Sequence, residues 1–232
     1  MQFITMDFNL ADRILKSPYC LSLVSWEGGR IEDIYSTFIA PDCDVEDVLA
    51  KKNHIMYDLS KAPSLPDIWP EVGKIIEGKT VFFPDGTSNV SDLIERLAVD
   101  YLVMPEISYA SYFSMVARVW PELSKVMITK WPKPTANKEE TRLSKTVKEY
   151  NFTEIGKYFN AEPRQYNNLD NPLNMGLVIN KALDKVDTES VERLFDLCGY
   201  AGGIVTGGQK FHYRAVKEKK SGEYYRNFQT KI

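Results

Sequence analysis

Phe3-Ile4-Thr5-Met6-Asp7-Phe8-Asn9 is the stretch that decides how this chain reads. Residues 2–7 carry the apolar and β-favouring side chains of a buried strand, and the run ends in Asp-x-Asn. Working outward, residues 19–26 form a second apolar run through Leu21, Leu23, Val24 and Trp26. Glu27-Gly28-Gly29-Arg30 is a turn signal, and residues 31–39 make a third strand, so the two runs form a hairpin.

Helical and strand signals then alternate. A short helical stretch is read at residues 45–51. The spacing of Ile68, Trp69, Val72, Ile75 and Ile76 predicts a helix over 65–76, with Pro66 in its first turn. Residues 80–83 are a short central strand, and Val90, Leu93, Ile94 and Leu97 line one face of a helix. Residues 107–110 read as a strand leading into a helix through Val116, Val119 and Trp120. A lysine-rich polar stretch at about 126–148, with Pro132 and Pro134, reads as an insertion. Helices are expected at 151–159, capped by Asn151 with Glu154 behind it, at 172–183, and at 188–197 from Thr188. From Gly199 the chain is glycine-rich and then basic. Three strands followed by alternating helices and strands predict an α/β fold with a mixed central sheet flanked by helices. The expected organisation is a domain at 1–185 with its insertion, then a C-terminal helix and basic-aromatic tail at 186–232.

Composition narrows the class. An apolar content of 44% with 12% aromatics suffices for one large core in 232 residues. A net charge of -3 does not advertise a nucleic-acid binder, although a mean charge hides patches. No apolar run is long enough for a membrane span, and no signal peptide is evident. Cys20, Cys43 and Cys198 are odd in number and widely spaced, which fits thiols in a reducing cytoplasm rather than disulfides or a zinc site.

The order of motifs resembles the DNA polymerase III epsilon-type 3′–5′ exonucleases, of the DEDDh class within the three-layer ribonuclease H-like fold. Phe3 to Asn9 is similar to that family's first strand and its Asp-x-Glu. Asn53-His54-Ile55, Lys61-Ala62-Pro63 and Ile68-Trp69 resemble its His-Gly-Ile…Ala-Pro…Val-Trp segment. Val81-Phe82-Phe83 and Asn89-Val90-Ser91-Asp92-Leu93 resemble the strand and the Asn-x-x-Phe-Asp-x-x-x-Leu motif after it. Tyr150-Asn151-Phe152 to Phe159 looks like its Tyr-x-Leu…Leu helix. Tyr166-Asn167-Asn168-Leu169-Asp170-Asn171-Pro172 stands where the family has His-x-Ala-Leu-x-Asp-Ala. The likeness runs from about residue 2 to 183.

Phosphodiester hydrolysis of that kind uses two divalent ions, which make hydroxide and stabilise the charge on phosphorus. Magnesium or manganese wants hard oxygen ligands, and a histidine serves as general base. The resemblance implies that Asp7 keeps the first carboxylate, that Asn9, Asn89 and Asn171 replace three others, and that Tyr166 stands at the base position. A lone anion, Asp7, would hold paired dications poorly, and a phenol with an ordinary pKa of about 10 is a weak base at neutral pH. Asp85, Asp92 and Asp170 lie near the vacancies in sequence, and Asp92 or Asp170 could be recruited. On a helix, a one-residue slip turns a side chain by about 100°, so Asp170 is no automatic substitute for Asn171.

Plainer readings stand beside these. Asp7 reads equally as a strand-end aspartate, and Asn89, Asn167, Asn168 and Asn171 as loop or cap asparagines. Tyr166 reads as a packing residue, His54 and His212 as structural or exposed, and Gly202-Gly203…Gly207-Gly208 as a flexible loop rather than a phosphate cradle. Two stretches mix cations with rings: the insertion with Trp131, and the tail with Lys210, Arg214, Lys217, Lys219 and Lys220 among Phe211, Tyr213, Tyr224, Tyr225 and Phe228. Single-strand binding uses that combination, and so does an ordinary solvated surface.

The expectation is therefore an exonuclease-like protein with a degenerate two-metal site. It would bind single-stranded nucleic acid or a protein partner, with no resident cofactor and no membrane. The alternatives are an active 3′–5′ exonuclease using magnesium or manganese at Asp7, and a purely structural or regulatory subunit.

Overall fold

The chain is described here by a computed structural model, which covers residues 2–46, 48, 57–120, 123, 155–160, 168–199, 202–217 and 224–231. Its strands are β1 (Gln2–Asp12), β2 (Ser17–Glu27), β3 (Arg30–Phe38), β4 (Thr80–Phe83), β5 (Ile107–Ser111), β6 (Gly203–Thr206), β7 (Gln209–Lys217) and β8 (Tyr224–Lys231). They form one eight-stranded sheet in the order β3-β2-β1-β4-β5-β6-β7-β8. The pairs β1–β4 and β4–β5 are parallel, and the other pairs are antiparallel. The α-helices described over their full extent are α1 (Leu65–Ile76), α2 (Gly86–Val99), α3 (Tyr112–Val119), α4 (Asp170–Lys185) and α5 (Val191–Cys198).

Strand alternation divides the core in two. Ile4, Met6 and Phe8 of β1 pack with Leu21, Leu23, Val81 and Phe83 against Ile68, Trp69 and Val72 of α1 and Val90, Leu93 and Leu97 of α2. On the other face, Phe3, Val24, Trp26 and Phe82 meet Met115 and Val116 of α3, Met175 and Ile179 of α4, and Leu194 and Phe195 of α5. Helices on both faces of a mixed sheet make the α/β three-layer ribonuclease H-like architecture expected from the motifs.

Local chemistry explains the boundaries. Ser64 donates its backbone N–H to the Asp67 carboxylate at 2.9 Å, closing the start of α1. At the end of α2, the Tyr101 N–H reaches the Ala98 carbonyl at 3.2 Å and the Leu102 N–H reaches Leu97 at 2.8 Å, with Tyr101 left-handed at φ 57°. Gly176 decides how closely α4 can lie on the sheet. A Cβ there would fall 2.0 Å from Trp26 Cε2, so only glycine lets the helix settle on the indole.

Three expectations need correction. Residues 203–217 and 224–231 do not trail off as loop and tail. Gly202 and Gly203 lead into β6, Gly207 and Gly208 turn it into β7 at φ 57° and 70°, and β7 and β8 extend the sheet begun by β1. Residues beyond 185 thus share the sheet, and Val191, Leu194 and Phe195 share the core. The last helix starts later than Thr188, because the Ser190 hydroxyl accepts the Arg193 N–H at 3.2 Å and caps it. Finally, β1 runs five residues past Asp7, with ladder slips on either side of Leu10. The helices expected at 45–51 and 151–159 fall partly outside the described residues, and the insertion at 126–148 falls wholly outside them.

Candidate functional site

The site lies where β1, β2 and α4 meet. Thr5 and Asp7 share the β1 face that looks toward α4. The Trp26 indole N–H donates to the Thr5 hydroxyl at 3.0 Å, and that hydroxyl donates to the Pro172 carbonyl at 2.7 Å. These bonds fix the first turn of α4 over the strand. One residue earlier, the Asn171 Nδ2 donates to Asp7 Oδ2 at 2.8 Å, across 164 residues of sequence. Asp7 is 8% exposed and Asn171 partly buried, so the contact is shielded.

This geometry settles the reading of Asn171. α4 begins at Asp170 with Leu169 before it, and Leu169 offers no capping side chain. Asn171 is therefore a first-turn residue aimed at β1, not a cap. Asn89 goes the other way. Its Oδ1 accepts the backbone N–H of Asp85 at 2.8 Å, reaching back to the start of its own helix α2. Asn9 donates from Nδ2 to Cys20 Sγ at 3.3 Å, a weak bond to a soft acceptor on the neighbouring strand.

The recruitable acids are dispersed. Asp85 lies beyond the end of β4, directly before α2, and Asp170 opens α4 beside Asn171. Asp92 lies 3.0 Å from the Lys16 ammonium, which Glu95 also holds. Those two carboxylates raise the pKa of Lys16, the Glu95 bond most strongly. Among the described residues, no three of Asp, Glu, His and Cys come together as a metal-holding group. Tyr166, at the resembled base position, lies outside the described residues.

Sequence reasoning missed Tyr19. Its phenol is 3% exposed at the start of β2. Burial first, then the nearby Cys20 and Asp7, push its pKa far above the ordinary tyrosine value. It stays protonated at physiological pH and can donate a hydrogen bond, but cannot take a proton. A tyrosine opening an apolar strand run gave no hint of this.

Of the tail cations, Lys210 alone has a described side chain. Lys210 is only 7% exposed, and its ammonium rests on the Ser91 hydroxyl of α2. Desolvation lowers its pKa, against the pull of Glu95 and Asp92. A lysine so enclosed is not presented to a phosphate backbone. Arg214 and Lys217 lie on β7 with only their backbone described, and Lys219 and Lys220 lie outside the described residues. Cys20, Cys43 and Cys198 are thiols. Among the described residues, no helix is long and apolar enough to cross a membrane.

Solved structures resemble this arrangement. One, titled "3'-end specific recognition of histone mRNA stem-loop by 3'-exonuclease", matches with a TM-score of 0.58 at 11% identity, covering 100% of this chain and 97% of that one. A full-length 3′-exonuclease matches with a TM-score of 0.59 at 10% identity, covering 100% of this chain and 72% of that one. No protein-family model and no curated protein sequence matches the chain. At so low an identity the likeness is one of architecture, and the chain has the fold of the ribonuclease H-like 3′-exonucleases.

Proposed function

We propose that this chain is a degenerate, epsilon-like exonuclease relative that holds the end of a single nucleic-acid strand in the groove over Asp7 without hydrolysing it. The observation that carries this reading is the bond from the Asn171 amide to the Asp7 carboxylate. In a two-metal nuclease, the carboxylate at the end of the first strand faces a dication. Here it faces an amide N–H, which satisfies that oxygen with no ion present.

To ligate an ion together with Asp7, Asn171 would have to turn its Oδ1 inward and would bring no charge. Asn9 and Asn89 are engaged with Cys20 and Asp85. A donor set of one carboxylate, neutral amides and a thiol does not fit a pair of hard magnesium or manganese ions, so no hydrolytic step is assigned to it. Fewer anions in the groove also means less repulsion of an incoming phosphate backbone. The thiols accord with a reducing, cytoplasmic setting.

The test is fluorescence anisotropy with end-labelled single-stranded RNA and DNA in EDTA, followed by incubation with manganese. Binding should weaken with salt at a slope of about −2 if three phosphates are neutralised, and the oligonucleotide should stay intact. Mononucleotide release in manganese, abolished by Asp7→Ala, would establish the active-exonuclease reading instead. Asp170, one residue from Asn171, favours that reading as the recruited acid, whereas Asp92 is already held by Lys16. Absence of affinity for either nucleic acid, with a stable protein complex, would favour a structural or regulatory subunit.

A further inference from the structure

The open edge of the sheet carries an inference independent of the nucleic-acid reading. Among the described residues, β3 pairs with β2 alone. The Ile39 N–H donates to the Tyr19 carbonyl at 2.9 Å, which sets the alternation of the ladder. Thr37 and Tyr35 therefore turn their amides toward β2, while Ile34, Ser36 and Phe38 turn N–H and C=O outward. The Ile34 N–H donates to the exposed Asp33 Oδ1 at 2.8 Å, a bond that an incoming strand must displace. The Phe38 carbonyl accepts a bond from the Thr37 hydroxyl at 2.9 Å, with a second lone pair to spare.

Free edges are usually guarded by proline, charged side chains, bulges, short length or a covering element, and β3 has charges and a bulge in its first half only. β3 has nine residues and neither proline nor lysine. Its one irregularity lies near its start, opposite Ser25 and Trp26.

Apolar side chains line this edge on one face. Ile34 pairs across the ladder with Val24, and Ile31 with Trp26, so both isoleucines lie on the α4 side. They are 44% and 47% exposed. α4 reaches the same edge, where the Asn180 Oδ1 would lie 4.0 Å from a Cβ on Gly29. Leu177, one turn earlier on α4, is 46% exposed. The charges of the strand are lopsided. Arg30, Glu32 and Asp33 fill its first half, and Ile34 to Phe38 carry none.

That asymmetry identifies the partner. A second β3 laid antiparallel, with a two-fold axis near Ile34, places each charged half opposite an uncharged half. A parallel, in-register copy would set Glu32 against Glu32 and Asp33 against Asp33. We propose that β3 is a self-association edge, through which two copies of this chain pair antiparallel about an axis near Ile34. The contact joins their sheets and covers Ile31, Ile34 and Leu177.

Sedimentation velocity of the full chain tests this, with a dimer expected at about 10 µM. Ile34→Lys places two ammonium groups at the axis and should weaken dimerisation about 100-fold or more. Ser36→Pro removes an outward amide, leaving the β2–β3 backbone bonds in place at the cost of the hydroxyl contact with Ser22. It should also yield monomers with a cooperative melt, and if it does not fold, Ile34→Lys decides. A wild-type chain still monomeric at about 100 µM overturns the proposal. So does a dimer that survives a folded Ile34→Lys variant.

Discussion

Asn171 and Asn89 stand at equivalent places in the resembled motif pattern, yet they do opposite things. Asn171 reaches from the first turn of α4 to an aspartate on another element, tying helix to sheet. Asn89 folds back on the N-terminal turn of α2 and serves its own helix. The same residue type at two vacated ligand positions thus became a tertiary contact in one case and a local cap in the other. What decides is the neighbour already present: a shielded carboxylate for Asn171, an unsatisfied helix-start amide for Asn89.

The largest test of that contrast is Asn171→Asp. It replaces a donor by a second carboxylate 2.8 Å from the first. Two such groups cannot both ionise cheaply, so the pair binds one proton with a pKa above the ordinary carboxylate value. The folded state then holds a proton that the unfolded chain has released. Stability is therefore retained below about pH 4 and lost as pH rises through the raised value, by about 2–4 kcal/mol at pH 7. Urea unfolding in EDTA at pH 4 and pH 7 measures it. Equal stability loss at both pH values would break the assigned contact.

A smaller effect is expected at a third asparagine. The Asn180 Nδ2 is buried and lacks a hydrogen-bond partner among the described residues. Asn180→Leu should raise stability by about 1 kcal/mol, read from the urea midpoint, because an unsatisfied amide is exchanged for apolar contact. A loss of similar size would mean that the amide is bonded.

The smallest effect should come from Asn89→Asp. A carboxylate keeps the acceptor for the Asp85 N–H and places negative charge in the first turns of a helix, where it is favoured. The expected change lies within about 0.5 kcal/mol, in either direction. A cost as large as that of Asn171→Asp would place Asn89 beside Asp7 and dissolve the contrast.

The sequence made the first five strands legible because long apolar runs and hairpin glycines carry their own periodicity. It did not reveal β6 to β8. β6 has only four residues, and the cations that alternate with rings along β7 resemble a solvated tail. Asp7 was legible from the apolar run that leads into it. The partner of Asn171 was not, since its short side chain suits a cap as well as a cross-element donor, and only the placement of α4 by Gly176 and Trp26 decides. The burial of Lys210 was equally hidden, because a lysine among aromatics gives no sign that its strand will run beneath α2.

The seat of Trp26 against Gly176 gives the molecule an internal optical gauge. Its indole N–H is linked through Thr5 to the carbonyl that follows Asn171. Any guest that lifts the start of α4 must stretch that relay and alter the polarity around the ring. Shifts in intrinsic tryptophan emission, compared with a Trp26→Phe control, would then register occupancy without labels, even when the guest leaves chemically unchanged.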